Sequence, residues 1–232
     1  MTPEKRRDAR SVQDATRGAA APSEAAAPSE ADASPQTPFT RIAVFVSGSG
    51  TNLQALVDER AAGRLHADIA LVVASNPQAF GIERARTAGL ETLVFTPADY
   101  AKPREVDAAL VAALEERGVE YVVMAGYMRK VTPVLLDAFP NRVLNLHPAL
   151  LPRHKGAHAI RDAYEAGDAV TGITIHFADE DYDAGPVVFQ REVPILPGDS
   201  LEDLEARVHT AEHEWYPRVV DAVVTHTLDK LP

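Results

Sequence analysis

Asn145, His147 and Asp183 are the residues of this 232-residue chain whose types and spacing could carry a reaction. The short run Arg142-Val143-Leu144-Asn145-Leu146 is apolar and β-favouring, and reads as a buried strand. The two-residue repeat of a strand puts Asn145 and His147 on one face. Pro148 ends the ladder, so His147 sits where strand gives way to loop. Strand ends in open α/β sheets are where ligands bind. After a further apolar strand, Ile173 to Phe177, comes an acidic loop from Asp179 to Pro186 that carries Asp183. Together an amide, an imidazole and a carboxylate can stabilise an oxyanion. The amide and the imidazolium donate to it, and the carboxylate keeps the imidazole charged and oriented. Spacing alone leaves a plainer alternative open. A lone His after a strand is often a satisfied structural residue, and Asp-Ala-Gly-Pro is an ordinary turn.

The elements that must position these residues begin at Arg41. Ile42 to Val46 is a β-rich run leading into Ser47-Gly48-Ser49-Gly50-Thr51-Asn52 and then an apolar-periodic segment, Leu53 to Arg60. That is a strand, a glycine loop and a helix. Loop amides at a helix N-terminus bind anions, and glycine lets a phosphate approach the backbone. The loop lacks the third glycine of the dinucleotide fingerprint, and the second strand, Ile69 to Ala74, ends in Ser75-Asn76 rather than an acid. A phosphate monoester therefore suits the loop better than a dinucleotide, and a glycine turn without a ligand is the bland alternative. A helix from Gly81 to Ala88, a strand from Thr92 to Phe95 and a helix from Pro103 to Arg117 follow. A fourth strand, Tyr121 to Met124, runs into Ala125-Gly126-Tyr127-Met128-Arg129-Lys130-Val131. Beyond the Asn145 strand come a helix from Ala157 to Ala166, strands from Ile173 to Phe177 and Val187 to Val193, and a last helix capped by Ser200 and running to about Thr227. Alternating strands and helices predict an α/β fold.

Composition narrows the function. The chain has no cysteine, so it can hold neither a disulfide nor a thiolate nucleophile. A formal charge of −11 argues against general nucleic-acid binding, so an anionic substrate needs a local site. Absence of a long apolar run or a secretory signal points to a cytoplasmic protein that does not cross a membrane. Residues 1–40 are rich in Ala, Pro and Ser, with the near-repeat AAAPSE-AAAPSE, and are expected to be a disordered tail ahead of a domain at 41–232.

His209-Thr210-Ala211-Glu212-His213 fits the inverted zinc-protease pattern. It has no third ligand nearby, and no metal is expected.

The ordered motifs N-L-H-P-A-L-L-P, K-G-A-H, G-I-T-I-H-F and D-Y-D-A-G-P resemble the signature of the folate-dependent formyltransferases, and most of all the branch that formylates glycinamide ribonucleotide in purine synthesis. The resemblance runs from about Arg41 to His226. It implies a Rossmann-like fold with a mostly parallel sheet, helices on both faces and an antiparallel C-terminal part. It implies transfer of a formyl group from 10-formyltetrahydrofolate, as co-substrate, to the amine of glycinamide ribonucleotide. Asn145, His147 and Asp183 match the catalytic trio. Gly50, Thr51 and Asn52 match the phosphate site, and Glu212 the acid that binds the ribose. His209 lies where the family often has a Gln nearby. Arg104, Met128, Arg129, Lys130, Val131 and Asn145 match folate-side positions. Partners would be small molecules, in a monomer or homodimer. Ile160 stands where the family often has a second His. The alternatives are a formyltetrahydrofolate hydrolase or another folate-dependent N-formyltransferase.

Overall fold

Seven strands and six α-helices follow one another in the computed structural model, which describes residues 39–232. The expected tail lies outside the described residues apart from its last two positions. The first strand, β1, is Thr40–Val46, and α1 is Thr51–Ala61. Next come β2 at Ala67–Ala74, α2 at Gly81–Thr87, β3 at Thr92–Val94 and α3 at Pro103–Glu116. The second half holds β4 at Tyr121–Met124, α4 at Pro133–Ala138, β5 at Val143–His147 and α5 at Ala159–Glu165. The chain ends in β6 at Val170–Phe177, β7 at Val187–Pro194 and α6 at Leu201–Val224.

The strands form one sheet in the order β3-β2-β1-β4-β5-β6-β7. The pairs on β1, β2–β3 and β4–β5 are parallel, whereas β5–β6 and β6–β7 are antiparallel. This is the expected mostly parallel sheet with an antiparallel end. The chain order reverses direction on either side of β1, so β1 and β4 diverge at their C-terminal ends, where such sheets bind ligands.

Alternation along β1 shows how the two layers are made. Ile42, Val44 and Val46 face a core shared with Leu53 and Leu56 of α1, Ile82 of α2 and Val208, Tyr216 and Val220 of α6. Ala43 and Phe45 face the opposite core, with Val106, Leu110 and Leu114 of α3 and Leu135 of α4. Two-residue strand periodicity thus buries both faces of the sheet. α6 is fixed at its start by a reciprocal capping box, in which Ser200 Oγ accepts from Asp203 N and Asp203 accepts from Ser200 N. Deeper along it, the buried Tyr216 donates its hydroxyl to Met124 O at 2.9 Å.

Two expectations shift. α6 stops at Val224 rather than about Thr227, and the short α4 had no predicted counterpart. Six residues, two of them leucines after a Thr-Pro start, are too few to show a period, although Thr132 caps them by accepting from Val134 N.

Candidate active site

Asn145 and His147 lie on β5, two residues apart, as their spacing required. His147 is the last strand residue and is buried, with 3% of its surface exposed. The antiparallel register sets Asn145 opposite His176 of β6, a residue to which the sequence had given no role. His176 Nδ1 lies 2.9 Å from Phe177 O, so it carries the ring proton and donates it. Its Nε2 is then an acceptor, and Asn145 Nδ2 donates to it at 3.0 Å. This bond fixes which end of the Asn145 amide is which, and leaves the second Nδ2 hydrogen free. Burial holds the His176 ring below the ordinary histidine range, which keeps that Nε2 unprotonated.

Asp183 belongs to the loop between β6 and β7, and its backbone is left-handed, with φ of 51°. Its carboxylate is 1% exposed and points at His147, with Oδ2 3.4 Å from Nδ1. The same oxygen accepts from Gly156 N at 3.0 Å. On the far side of the imidazole, His147 Nε2 lies 2.8 Å from the carbonyl oxygen of His154. Both ring nitrogens thus face acceptors. An imidazolium satisfies the two of them, and a neutral ring satisfies one. The His154 turn is left-handed too, with φ of 49°, and its side chain is tied to Asp168 at 2.7 Å. The loop after β5 therefore grips both partners of the His147–Asp183 pair.

A cavity of about 320 Å³ runs from these residues to the glycine loop, and its lining includes Gly50, Thr51, Asn52, Met128, Asn145 and His147. At its far end Gly50, with φ of 70°, is the N-cap of α1. A side chain there would meet Gly81 Cα at 2.5 Å, so glycine is required for the close approach of α2 as well as for the turn. Glu212 closes this end and is 4% exposed. Its Oε2 accepts from Asn52 Nδ2 at 3.1 Å and faces His209 Nδ1 at 2.9 Å. The 209–213 segment is therefore engaged with the cavity, and no metal-holding group of His, Asp or Glu occurs among the described residues.

A smaller recess of about 30 Å³ shares Tyr127, Asn145 and Tyr182 with the first cavity and adds Arg129, Lys130 and Val131. Among the described residues the backbone N–H groups of Arg129, Lys130 and Val131 find no acceptor, whereas Met128 N bonds to Ser47 Oγ and Thr132 N to Asp107. Open backbone donors beside Tyr127, Met128 and Tyr182 suit a flat heteroaromatic ring with polar edges. Tyr127 is wedged edge-on against Phe45, and its hydroxyl bonds to that of Tyr100. Burial and that bond push the Tyr127 phenol far up, so it stays neutral. Arg104 is the remaining residue expected on the folate side. It is exposed on the first turn of α3 and lines neither cavity. Of the two cations that line the recess, Arg129 and Lys130, the first stacks 4.7 Å over the Tyr100 ring.

A family model described as formyl transferase matches residues 40–220. The chain belongs to the formyl transferase family. It is 40% identical over 180 residues to phosphoribosylglycinamide formyltransferase of Haemophilus influenzae, covering 78% of this chain and 85% of that one. It is also 40% identical over 189 residues to the trifunctional purine biosynthetic protein adenosine-3 of Drosophila melanogaster, spanning 81% of this chain but only 14% of that longer protein. The crystal structure of glycinamide ribonucleotide transformylase 1 from Symbiobacterium toebii superposes with a TM-score of 0.79 at 44% identity, over 82% of this chain and 90% of that one.

Within this family framework the departure at Ile160 has a physical account. Ile160 sits on α5 and packs partly buried against the core shared by α6, so that position serves packing here. Two contributors were missed from sequence. The His176 ring was hidden because its role depends on the β5–β6 register, and the His154 carbonyl because main-chain groups leave no signature in residue type. Ser47 was quoted only as part of the glycine loop. Its hydroxyl accepts from Met128 N at 2.7 Å and shares a hydrogen bond with Ser75 Oγ at 2.5 Å, which ties the two substrate-facing loops together.

Proposed function

We propose that this chain transfers a formyl group from 10-formyltetrahydrofolate to the amine of glycinamide ribonucleotide, in purine synthesis. The observation that carries the reading is the convergence of Asn145, His147 and Asp183 where the cavity lined by the glycine loop adjoins a recess with open backbone donors. The phosphate of the acceptor lies on the amides of Gly50, Thr51 and Asn52, where the start of α1 favours negative charge. Glu212 takes hydroxyl groups of the ribose. Met128, Arg129, Lys130 and Val131 hold the folate, through main-chain groups for the most part.

The acceptor amine attacks the formyl carbon. A C–N bond to the acceptor forms, the bond from formyl carbon to the folate nitrogen breaks, and one proton passes from the amine to that nitrogen. The free Nδ2 hydrogen of Asn145 donates to the formyl oxygen as it becomes an oxyanion. His147 supplies positive charge beside it, oriented by Asp183 on one nitrogen and the His154 carbonyl on the other. Asp183 keeps that charge compensated and receives the Gly156 amide, which holds the loop down over the site.

Residues 41–232 form the catalytic domain in this reading, and small molecules are its substrates. No described helix is long and apolar enough to cross a membrane. We place the enzyme in the cytoplasm, as a monomer or homodimer that binds no nucleic acid. The test is release of tetrahydrofolate from 10-formyltetrahydrofolate with glycinamide ribonucleotide, with initiator tRNA and with water alone. Release that requires glycinamide ribonucleotide supports the proposal. Equal release in water alone would make the protein a hydrolase.

A further inference from the structure

We propose that His209 is the countercharge that admits the acceptor's phosphate: its imidazolium neutralises Glu212 at the phosphate end of the cavity, so affinity for a sugar phosphate falls as the ring loses its proton. This rests on the function proposed above. A phosphate monoester carries close to two negative charges at neutral pH. The chain is itself acidic, at −11, and among the described residues neither Lys nor Arg lines the cavity. The guanidinium of Arg84 is engaged with the loop and α1, donating to Ser49 O and to Gln54 Oε1. Backbone amides and the start of α1 supply only partial charge.

Glu212 makes the problem worse. Its carboxylate is almost fully buried in the wall that the phosphate must approach. One of its oxygens already receives Asn52 Nδ2, an uncharged donor, at 3.1 Å. His209 Nδ1, at 2.9 Å from that same oxygen, is the group that can cancel the charge. A glutamine could replace the hydrogen bond but not the positive charge. Asn52 contributes an acceptor instead: its Oδ1 is buried at the cavity and has no partner among the described residues, which suits a sugar hydroxyl.

The charged and titratable groups around His209 separate cleanly. On α6 they are Glu205, Glu212 and His213, the last stacked with a ring separation of 6.4 Å. Arg84 faces in from α2 and acts on His213. The hydrogen bond to Glu212 holds His209 above the ordinary histidine range, whereas burial holds His213 below it. His209 is therefore charged at pH values where His213 is neutral. The sign follows: a ring with a raised pKa is protonated through the ordinary range, and the countercharge disappears as pH rises through the raised value.

The probe is D-ribose 5-phosphate, which lacks the reactive amine, titrated calorimetrically into the full chain from pH 6.5 to 9. Its second phosphate ionisation is near 6, so its own titration would strengthen binding with rising pH, opposite to the expected trend. The wild-type dissociation constant should rise by roughly ten-fold, the low end for an interaction with a charged group. His209→Gln should lose the rise, leaving only the slight tightening that the phosphate's own ionisation gives. His213→Gln should keep the rise. A flat wild-type profile, a rise that survives in His209→Gln, or one abolished by His213→Gln would each overturn the inference. Turnover with glycinamide ribonucleotide, run in parallel on the wild type, keeps the two readings apart. A flat profile with turnover present removes only the role of His209, and absent turnover removes the function on which it rests.

Discussion

Replacing His176 separates two effects that the geometry links. The neutral ring accepts from Asn145 Nδ2 at 3.0 Å because its own proton is committed to Phe177 O. His176→Leu removes that acceptor, so the Asn145 amide is no longer told which end to present. One neutral hydrogen bond is worth about 0.5–1.5 kcal/mol, which corresponds to a loss of orientation, and hence of kcat, of roughly two- to thirteen-fold. The stranded amide hydrogen should also cost about 1–3 kcal/mol of stability. Protonating His176 is a stronger perturbation. Both ring nitrogens become donors, the amide must flip, and its oxygen then faces the developing oxyanion. Losing such a donor costs roughly 10²–10³ in kcat. The burial-lowered pKa sets the sign: wild-type activity is protected from neutral pH downward until the lowered value is reached, then falls steeply. The unfolded chain binds this proton at the ordinary value, so fold stability also declines as pH drops below about 6.5. His176→Gln keeps an acceptor and cannot titrate, so it should hold kcat within about ten-fold at pH 7.5 and lack this acid limb. The acceptor amine itself protonates at low pH, so the quantity to read is the difference between wild-type and Gln pH–rate profiles in saturating substrate. If the two profiles superpose and His176→Leu turns over at the wild-type rate, the amide is not held by His176 and the argument fails.

Three further outcomes follow from the same site. Asp183→Asn keeps the shape that accepts Gly156 N but removes the charge facing His147, and kcat measured at steady state should fall by roughly 10²–10⁴ with the chain still folded. Gly50→Ala forces a Cβ to 2.5 Å from Gly81 Cα at a left-handed φ, so thermal melting should show a loss of 1 kcal/mol or more, by order of magnitude, together with a raised KM for the phosphorylated substrate; an unchanged Tm and KM would reduce the loop to a plain turn. A chain beginning at Phe39 should keep its Tm within about 2 °C and its kcat, because the preceding composition cannot build a core.

Much of this was readable from residue patterns because it depends on local periods. The glycine loop between β1 and α1, the paired placement of Asn145 and His147, and the cap of α6 at Ser200 each follow from a few adjacent residues. What escaped depends on the register between distant strands or on main-chain atoms. His176 acquires its role only when β6 runs antiparallel to β5 and lands opposite Asn145. The His154 carbonyl and the Gly156 amide act through the backbone of a loop whose course no side chain announces. Arg104 stands exposed on the first turn of α3, and an exposed cation on a helix start reads the same in sequence whether or not a cavity lies beside it.

Asp183 shows why two readings of one motif need not compete. Asp-Ala-Gly-Pro is a turn, and it is the turn that aims the carboxylate. At φ of 51° most side chains would be strained, whereas Asp is among the few that tolerate the left-handed region. The side chain it carries is buried to 5% exposure against His147, between the exposed Tyr182 and Ala184. Gly185 then lets the chain pass close to the Phe177 carbonyl and return into β7. The local strain is offset by the hydrogen bond the carboxylate accepts from the Gly156 amide and by its approach to the imidazole at 3.4 Å. On this argument Asp183→Gly would relieve the backbone while removing the charge. It should therefore preserve stability better than it preserves activity, which is the separation expected of a residue kept at this position for its chemistry.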